Sequence, residues 1–203
     1  NLTHYSFSDQ FNLEADTKTV SLHFDAINQN TTINFQNNDV VMSKINSYLT
    51  KDKKLLSKML SLSKYYFPIF ESYLDTYNLP FELKYLAIVE SSLNTLAKSK
   101  SGARGLWQFM YPTGKAYDLN VNSYIDERLD PYKSTEAACK YFLKLYDIFG
   151  DWNLVLAAYN GGPGNLNKWL KKVNFKNDPL LLIETLPSRE TRNYIKEVLK
   201  NVY

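Results

Sequence analysis

The 203-residue chain has a single cysteine, Cys139, and two histidines, His4 and His23. One thiol cannot close an internal disulfide, so cysteine usage says nothing about the redox compartment. Cys139 lies among Ala137, Ala138 and Phe142 with no histidine close in sequence. That setting fits a small buried apolar residue better than an activated nucleophile. The histidines fall in no metal-ligand spacing and beside no serine with acidic support, which disfavours zinc hydrolysis and Ser-His-Asp chemistry. No run of about 18 apolar residues occurs, so no segment reads as a membrane span. The start, Asn1 to His4, has neither a basic n-region nor an apolar h-region, and it lacks an initiator methionine. A mature or trimmed piece of an exported protein is therefore expected. Charge of one sign is also scarce. Lys plus Arg number 24 against 21 Asp plus Glu, and the net +3 looks scattered along the chain. So weak a balance suits a polyanionic polymer but does not point to nucleic acid.

What is present is apolar and aromatic: 44% hydrophobic and 15% Phe, Trp or Tyr, enough for one substantial core. Residues 1–38 are rich in Asn, Thr, Asp and Gln with brief alternating stretches, and read as an irregular or partly extended lead-in. From 39 to 203 the period becomes helical. Leu55, Leu56, Met59, Leu60, Leu62, Tyr65 and Tyr66 recur at helical spacing; Pro68 is expected to interrupt or kink the run, which resumes with Ile69, Phe70, Tyr73 and Leu74. Pro80 suits a first helical turn ahead of a helix over about 81–91. Further helices are predicted over roughly 106–118, 134–149, 151–160, 163–172 and 188–201. Without repeats or strand-helix alternation, the expectation is a compact all-α domain.

Glu90 stands out. In the 81–91 helix, Leu83, Leu86, Ala87 and Glu90 share a face, so a carboxylate extends an apolar stripe near a helix C-terminus. Lost hydration and the negative end of the helix dipole both raise its pKa, which is what a general acid requires. A glutamate at a helix end also often swings into solvent, and spacing alone does not decide between the two. The stretch Asn94 to Gly105 is short, polar and glycine-punctuated, able to cross a cleft mouth. Later, Tyr159 and Asn160 border a glycine-rich helix end, a pairing suited to stacking on and bonding an acetamido sugar, although helix ends often carry Asn and Gly as simple caps.

Four motifs in order, Glu90-Ser91, Gly102 through Met110, Ala157 through Gly162, and Glu190 through Tyr194, resemble the catalytic domain of the soluble-lytic-transglycosylase-like family, particularly its membrane-bound D-type branch. Asp126 to Pro131 also looks like that branch. The resemblance implies a helical lysozyme-like fold with an open groove for peptidoglycan glycan strands. It gives Glu90 the acid/base position, sets Ser99 and Ser101 near the scissile bond and Gln108 along the groove, and places Tyr159 and Asn160 at the reacting subsites. Tyr194 would approach Glu90 and help hold its carboxyl group. Thr95, Leu93 and Lys196 depart from common family residues, which touches loop shape more than chemistry. The implied reaction cuts between N-acetylmuramic acid and N-acetylglucosamine with closure of a 1,6-anhydro ring, and needs no metal or organic cofactor. The rival readings are a goose-type-lysozyme-like hydrolase, with Asp126, Glu127 or Asp130 as second carboxylate, and a glycan-binding module without catalysis that stacks sugars on Trp107, Trp152 and Trp169. A monomer in the periplasm or at the outer membrane is expected, with room for a lipid anchor upstream of Asn1.

Overall fold

The computed structural model describes residues 51–172 and 185–202. The lead-in expected over residues 1–38 lies outside these residues. Among the described residues the α-helices are α1 Lys53–Thr76, α2 Leu86–Ser91, α3 Tyr111–Ala116, α4 Pro131–Phe149, α5 Trp152–Gly161, α6 Pro163–Lys172 and α7 Arg189–Val202. Short 3-10 turns at Phe81–Tyr85 and Glu127–Leu129 complete the regular structure, and among the described residues there are only isolated bridges and no sheet. Central α5 packs against α4, α6 and α7, while α1 lies along α4 and α7 reaches back to α2.

The helix starts are set by local chemistry. Asp130 Oδ1 accepts from the backbone N–H groups of Tyr132 and Lys133 at 2.8 and 2.9 Å, with Pro131 in the first turn, so α4 begins three residues before the expected 134. Asp151 caps α5 in the same way. Gly150, at φ +66°, ends α4. The core forms where apolar stripes meet: Phe70, Leu74, Leu83, Leu86, Phe142, Leu145 and Leu156 are fully buried. Trp107 joins them, its ring 5.0 Å from Phe70 and 5.8 Å from Phe142, with its indole N–H donating to Thr135 Oγ1 at 3.0 Å. Trp107 is thus a core residue and no stacking platform; Trp152 and Trp169 pack partly buried against the same core.

One expectation is narrowed and two are corrected. Of the two outcomes expected at Pro68, interruption does not occur: α1 runs through it for 24 residues, and the anchoring of Phe70 and Leu74 in the core offsets the missing N–H. The 81–91 stretch is not one α-helix, since it begins as a 3-10 turn and becomes α-helical only at Leu86. Leu83, Leu86 and Ala87 nonetheless all point into the core, as the stripe required. The helix expected over 106–118 shrinks to α3. Before it, residues 98–109 form a loop folded on itself by antiparallel bridges Lys98 to Arg104 and Arg104 to Phe109. The loop needs left-handed backbone at Gly105 (φ +81°) and Gln108 (φ +48°), incompatible with a continuous helix.

A buried arginine staples this loop. Arg128, 5% exposed, donates from Nε and Nη2 to the two carboxylate oxygens of Asp126, both at 2.8 Å, and from Nη1 to the carbonyls of Gly102 and Phe109, both at 3.2 Å. This bidentate geometry satisfies a desolvated charge while tying the middle of the loop to its end. The Arg128 side-chain bond holds the Asp126 carboxyl below its usual value. Glu127 bonds Lys133 and the Asn120 amide, and Asp130 caps α4, so all three acidic residues of the segment have structural partners.

At Gly105 a Cβ would stand 1.8 Å from the Arg128 carbonyl oxygen, whereas Gly164, in the first turn of α6, has open space around it. Gly105→Ala should therefore cost about 3 kcal/mol or more and lower the melting temperature by several degrees, while Gly164→Ala should leave it unchanged or slightly raised. Thermal denaturation of the two variants checks this. Equal melting temperatures would remove the close approach from the account.

Candidate active site

Glu90 sits in the last turn of α2, and the chain leaves that helix through two consecutive left-handed residues, Ser92 (φ +51°) and Leu93 (φ +60°). Leu93 is buried, so the reversal is held by the core. Ser91 Oγ lies 2.9 Å from the Ala87 carbonyl and 3.0 Å from the Leu106 carbonyl, sharing one proton between its own helix and the 98–109 loop. Residue 91 had no role assigned beyond its place in a motif. Its signal in the sequence is a hydroxyl directly after the buried-face glutamate.

Glu90 as a residue is half-buried, and its carboxyl group is largely surrounded by protein. From α7, buried Tyr194 donates its phenolic O–H to Glu90 Oε1 at 2.7 Å. Burial pushes the Glu90 pKa up to about 7, against a smaller downward pull from this hydrogen bond. No other carboxylate or cation among the described residues contributes to the shift. The Tyr194 phenol is raised well above its ordinary value by burial and then by the Glu90 charge, so it stays a donor throughout the physiological range.

Tyr159, near the end of α5, donates its O–H to the Trp107 carbonyl at 2.7 Å. Burial raises its phenol, and both Glu90 and Tyr141 add to that, so its ring belongs to the same neighbourhood as the acid. Glu90, Tyr159 and Tyr194 are thus brought together from α2, α5 and α7. Asn160 follows at the helix end, half-buried. The remaining sequence candidates sit on the stapled loop. Ser99 Oγ accepts from the Ala103 N–H at 2.9 Å, Ser101 is exposed, and Gln108 Nε2 donates to the Gly105 carbonyl at 2.9 Å. With its amide nitrogen so engaged, Gln108 has its side-chain oxygen left as an acceptor. Arg128, which holds this loop, carries no signal in the sequence beyond its place between Glu127 and Leu129. Among the described residues no group of three His, Cys, Asp or Glu is arranged to hold a metal ion.

Chemically, the arrangement is a carboxylic acid poised near neutrality, oriented by a phenolic donor and set beside a polar loop to which its neighbour Ser91 is bonded. It can give a proton to a leaving oxygen and take one back.

A sequence profile for the transglycosylase SLT domain matches residues 68–181. The membrane-bound lytic murein transglycosylase D of Escherichia coli K12 is 36% identical over 123 residues, covering 60% of this chain and 27% of that protein. The soluble lytic murein transglycosylase of the same strain is 34% identical over 119 residues, covering 56% of this chain and 18% of that one. In three dimensions the chain is similar to the 70 kDa soluble lytic transglycosylase of E. coli, with a TM-score of 0.61 and 26% identity over 80% of this chain and 29% of that structure. The chain thus spans about a quarter or less of the length of these two protein relatives. The helical lysozyme-like fold and a profile match across more than half of the residues agree, and the chain belongs to the transglycosylase SLT domain family.

Proposed function

We propose that this domain is a peptidoglycan lytic transglycosylase that cleaves the β-1,4 bond between N-acetylmuramic acid and N-acetylglucosamine with Glu90 as its one catalytic carboxyl group. The observation that carries the reading is the half-buried Glu90, raised to about 7 and bonded by Tyr194. Protonated Glu90 donates to the glycosidic oxygen. The neighbouring 2-acetamido carbonyl of the substrate supports the anomeric carbon, standing in for the second carboxylate that most glycosidases need. Glu90, now charged, removes the proton from the muramoyl 6-hydroxyl, which attacks the anomeric carbon and closes the 1,6-anhydro ring. No water is consumed.

Ser99, Ser101 and Gln108 face the glycan from the stapled loop, with Tyr159 and Asn160 bordering the reacting subsites. Tyr194 orients the acid and, by favouring its charged form, limits how far burial raises the pKa. The relatives named lytic murein transglycosylases support the substrate class. A hydrolase of goose-type-lysozyme character is less favoured, since Asp126, Glu127 and Asp130 are occupied by Arg128, Lys133 and the amides of α4. A non-catalytic binding module would have no use for a costly buried acid. Action on peptidoglycan places the domain in the bacterial envelope, in the periplasm or at the outer membrane. No helix among the described residues is long and apolar enough to cross a membrane.

Glu90→Gln should abolish release of glycan fragments from purified wall. Mass spectrometry of the parent's products should find ends lighter by one water than reducing ends; reducing ends instead would make the domain a hydrolase.

Because the acid form starts the reaction, kcat/KM should fall as pH rises through about 7. Tyr194→Phe removes the bond that favours the carboxylate, so this alkaline limb should move to higher pH as overall activity drops. A limb that stays put or moves down contradicts the assigned role.

The same pKa couples to stability. Glu90 titrates near 7 in the fold against 4.5 for an unperturbed glutamate, so its contribution is fully present below 4.5 and is lost as pH rises toward 7. Glu90→Gln should lack this decline and exceed the parent's stability above pH 7, by on the order of 3 kcal/mol at most. Urea denaturation at pH 5 and pH 8 measures the difference.

A further inference from the structure

The first half of α1 is charged in one sense only. Residues 53–70 hold four lysines and no carboxylate; the first acid is Glu71, which pairs with Lys84. Along the sequence these lysines look scattered, but at 100° per residue Lys53, Lys64, Ser57, Ser61, Lys54 and Lys58, in that order, fill an arc of about 140°. All six are exposed. Met59, the only buried residue in the first four turns, faces the other way.

Two features are unfavourable for an ordinary solvated helix face. Lys53 and Lys54 occupy the first turn, together with Lys51 just before it, where the positive end of the helix dipole repels cations. The one acid at this helix end is Asp52, the residue before the first turn, whose side chain makes no capping hydrogen bond; the turn itself holds none. Large apolar side chains also border or interrupt the basic arc: Leu55, Leu60 and Tyr65 are 41%, 56% and 64% exposed. The Tyr65 ring is steadied by an edge contact with Tyr66, with centroids 5.0 Å apart.

We infer that this face of α1 docks on the surface of an anionic phospholipid bilayer. The lysines are complementary to lipid phosphates, and an anionic surface relieves their mutual repulsion and that of the helix end. Leu55 and Leu60 supply apolar contact at the headgroup boundary, where an amphipathic tyrosine such as Tyr65 also partitions well. Leucines are what separate this occupant from a hydrated wall polymer, which would match the charge but gain little from them. Docking holds the domain beside the membrane independently of Glu90.

The full 203-residue chain is tested by co-sedimentation with phosphatidylcholine vesicles, with and without phosphatidylglycerol. Binding should require phosphatidylglycerol and weaken steeply with salt. At about fivefold per lysine, the triple variant Lys53→Gln, Lys54→Gln, Lys58→Gln should bind roughly a hundredfold less tightly, and Leu60→Gln several-fold less. Activity on soluble glycan fragments and the melting temperature should stay unchanged in both. Glu90→Gln should bind vesicles like the parent, so failure here is separable from failure of the catalytic reading. Equal binding to the two vesicle types, or undiminished binding by the triple variant, overturns the inference. Lysine-dependent retention on lipid-free wall without vesicle binding overturns it too, and gives the face to the wall polymer. Should the triple variant lose its fold, salt dependence and lipid preference of the parent decide alone.

Discussion

The hydrogen bond from Tyr194 to Glu90 closes the domain on itself, joining residues 104 positions apart. Glu90 comes from a six-residue helix that could not hold a conformation alone. It is positioned because Leu83, Leu86 and Ala87 are anchored in the core and because α7 returns to place a phenol against it. The bond sets orientation and also bounds the pKa. Burial alone would drive the acid further from the range in which it can also act as a base. One donor of permanent charge state keeps both protonation forms accessible near pH 7.

The second constraint is rigidity in the loop opposite. Residues 98–109 carry three polar candidates but no regular structure, and a flexible loop would lose entropy on meeting a glycan. Here the ordering is already done by Arg128, by the Ser91 bridge to Leu106 and by the Tyr159 bond to Trp107. The last two matter most for the site, because a residue beside the acid and a residue near it both hold the loop by its carbonyls. Loop and acid are therefore fixed relative to each other through short paths, and Trp107 ties the same segment to the centre of the core.

The sequence made the helices legible wherever a cap or a long stripe marked them: Asp130-Pro131, Asp151 and the apolar positions of α4, α5 and α7. It made Glu90 legible because a carboxylate on an apolar face conflicts with its neighbours. It was misleading between 106 and 110, where Leu106, Trp107 and Phe109 look like part of a helical stripe. Periodicity cannot distinguish a helix face from a folded loop that buries the same residues, and the deciding feature, a left-handed Gln108 pinned by its own amide to Gly105, is a tertiary outcome. For a related reason Pro68 does not end α1, since packing of Met59 before it and of Phe70 and Leu74 after it offsets its local cost. The roles of Ser91 and Arg128 needed coordinates, because each acts on backbone carbonyls that no side-chain pattern encodes.

Local conflicts in this chain sort into two kinds. The left-handed residues Ser92, Leu93 and Gln108 are strained, yet each lies in a reversal fixed by buried or hydrogen-bonded neighbours, and folding explains them. Glu90 and the lysines opening α1 differ, since their cost is only partly offset by contacts within the protein. For Glu90, one phenol answers a desolvation that pushes its pKa up to about 7. For Lys53 and Lys54, only Asp52 at the N-cap position stands against the helix end, without a capping hydrogen bond and with no acid in the first turn. On the two proposals made above, the chain carries them for interactions outside itself, the first with a leaving oxygen on a sugar and the second with an anionic surface.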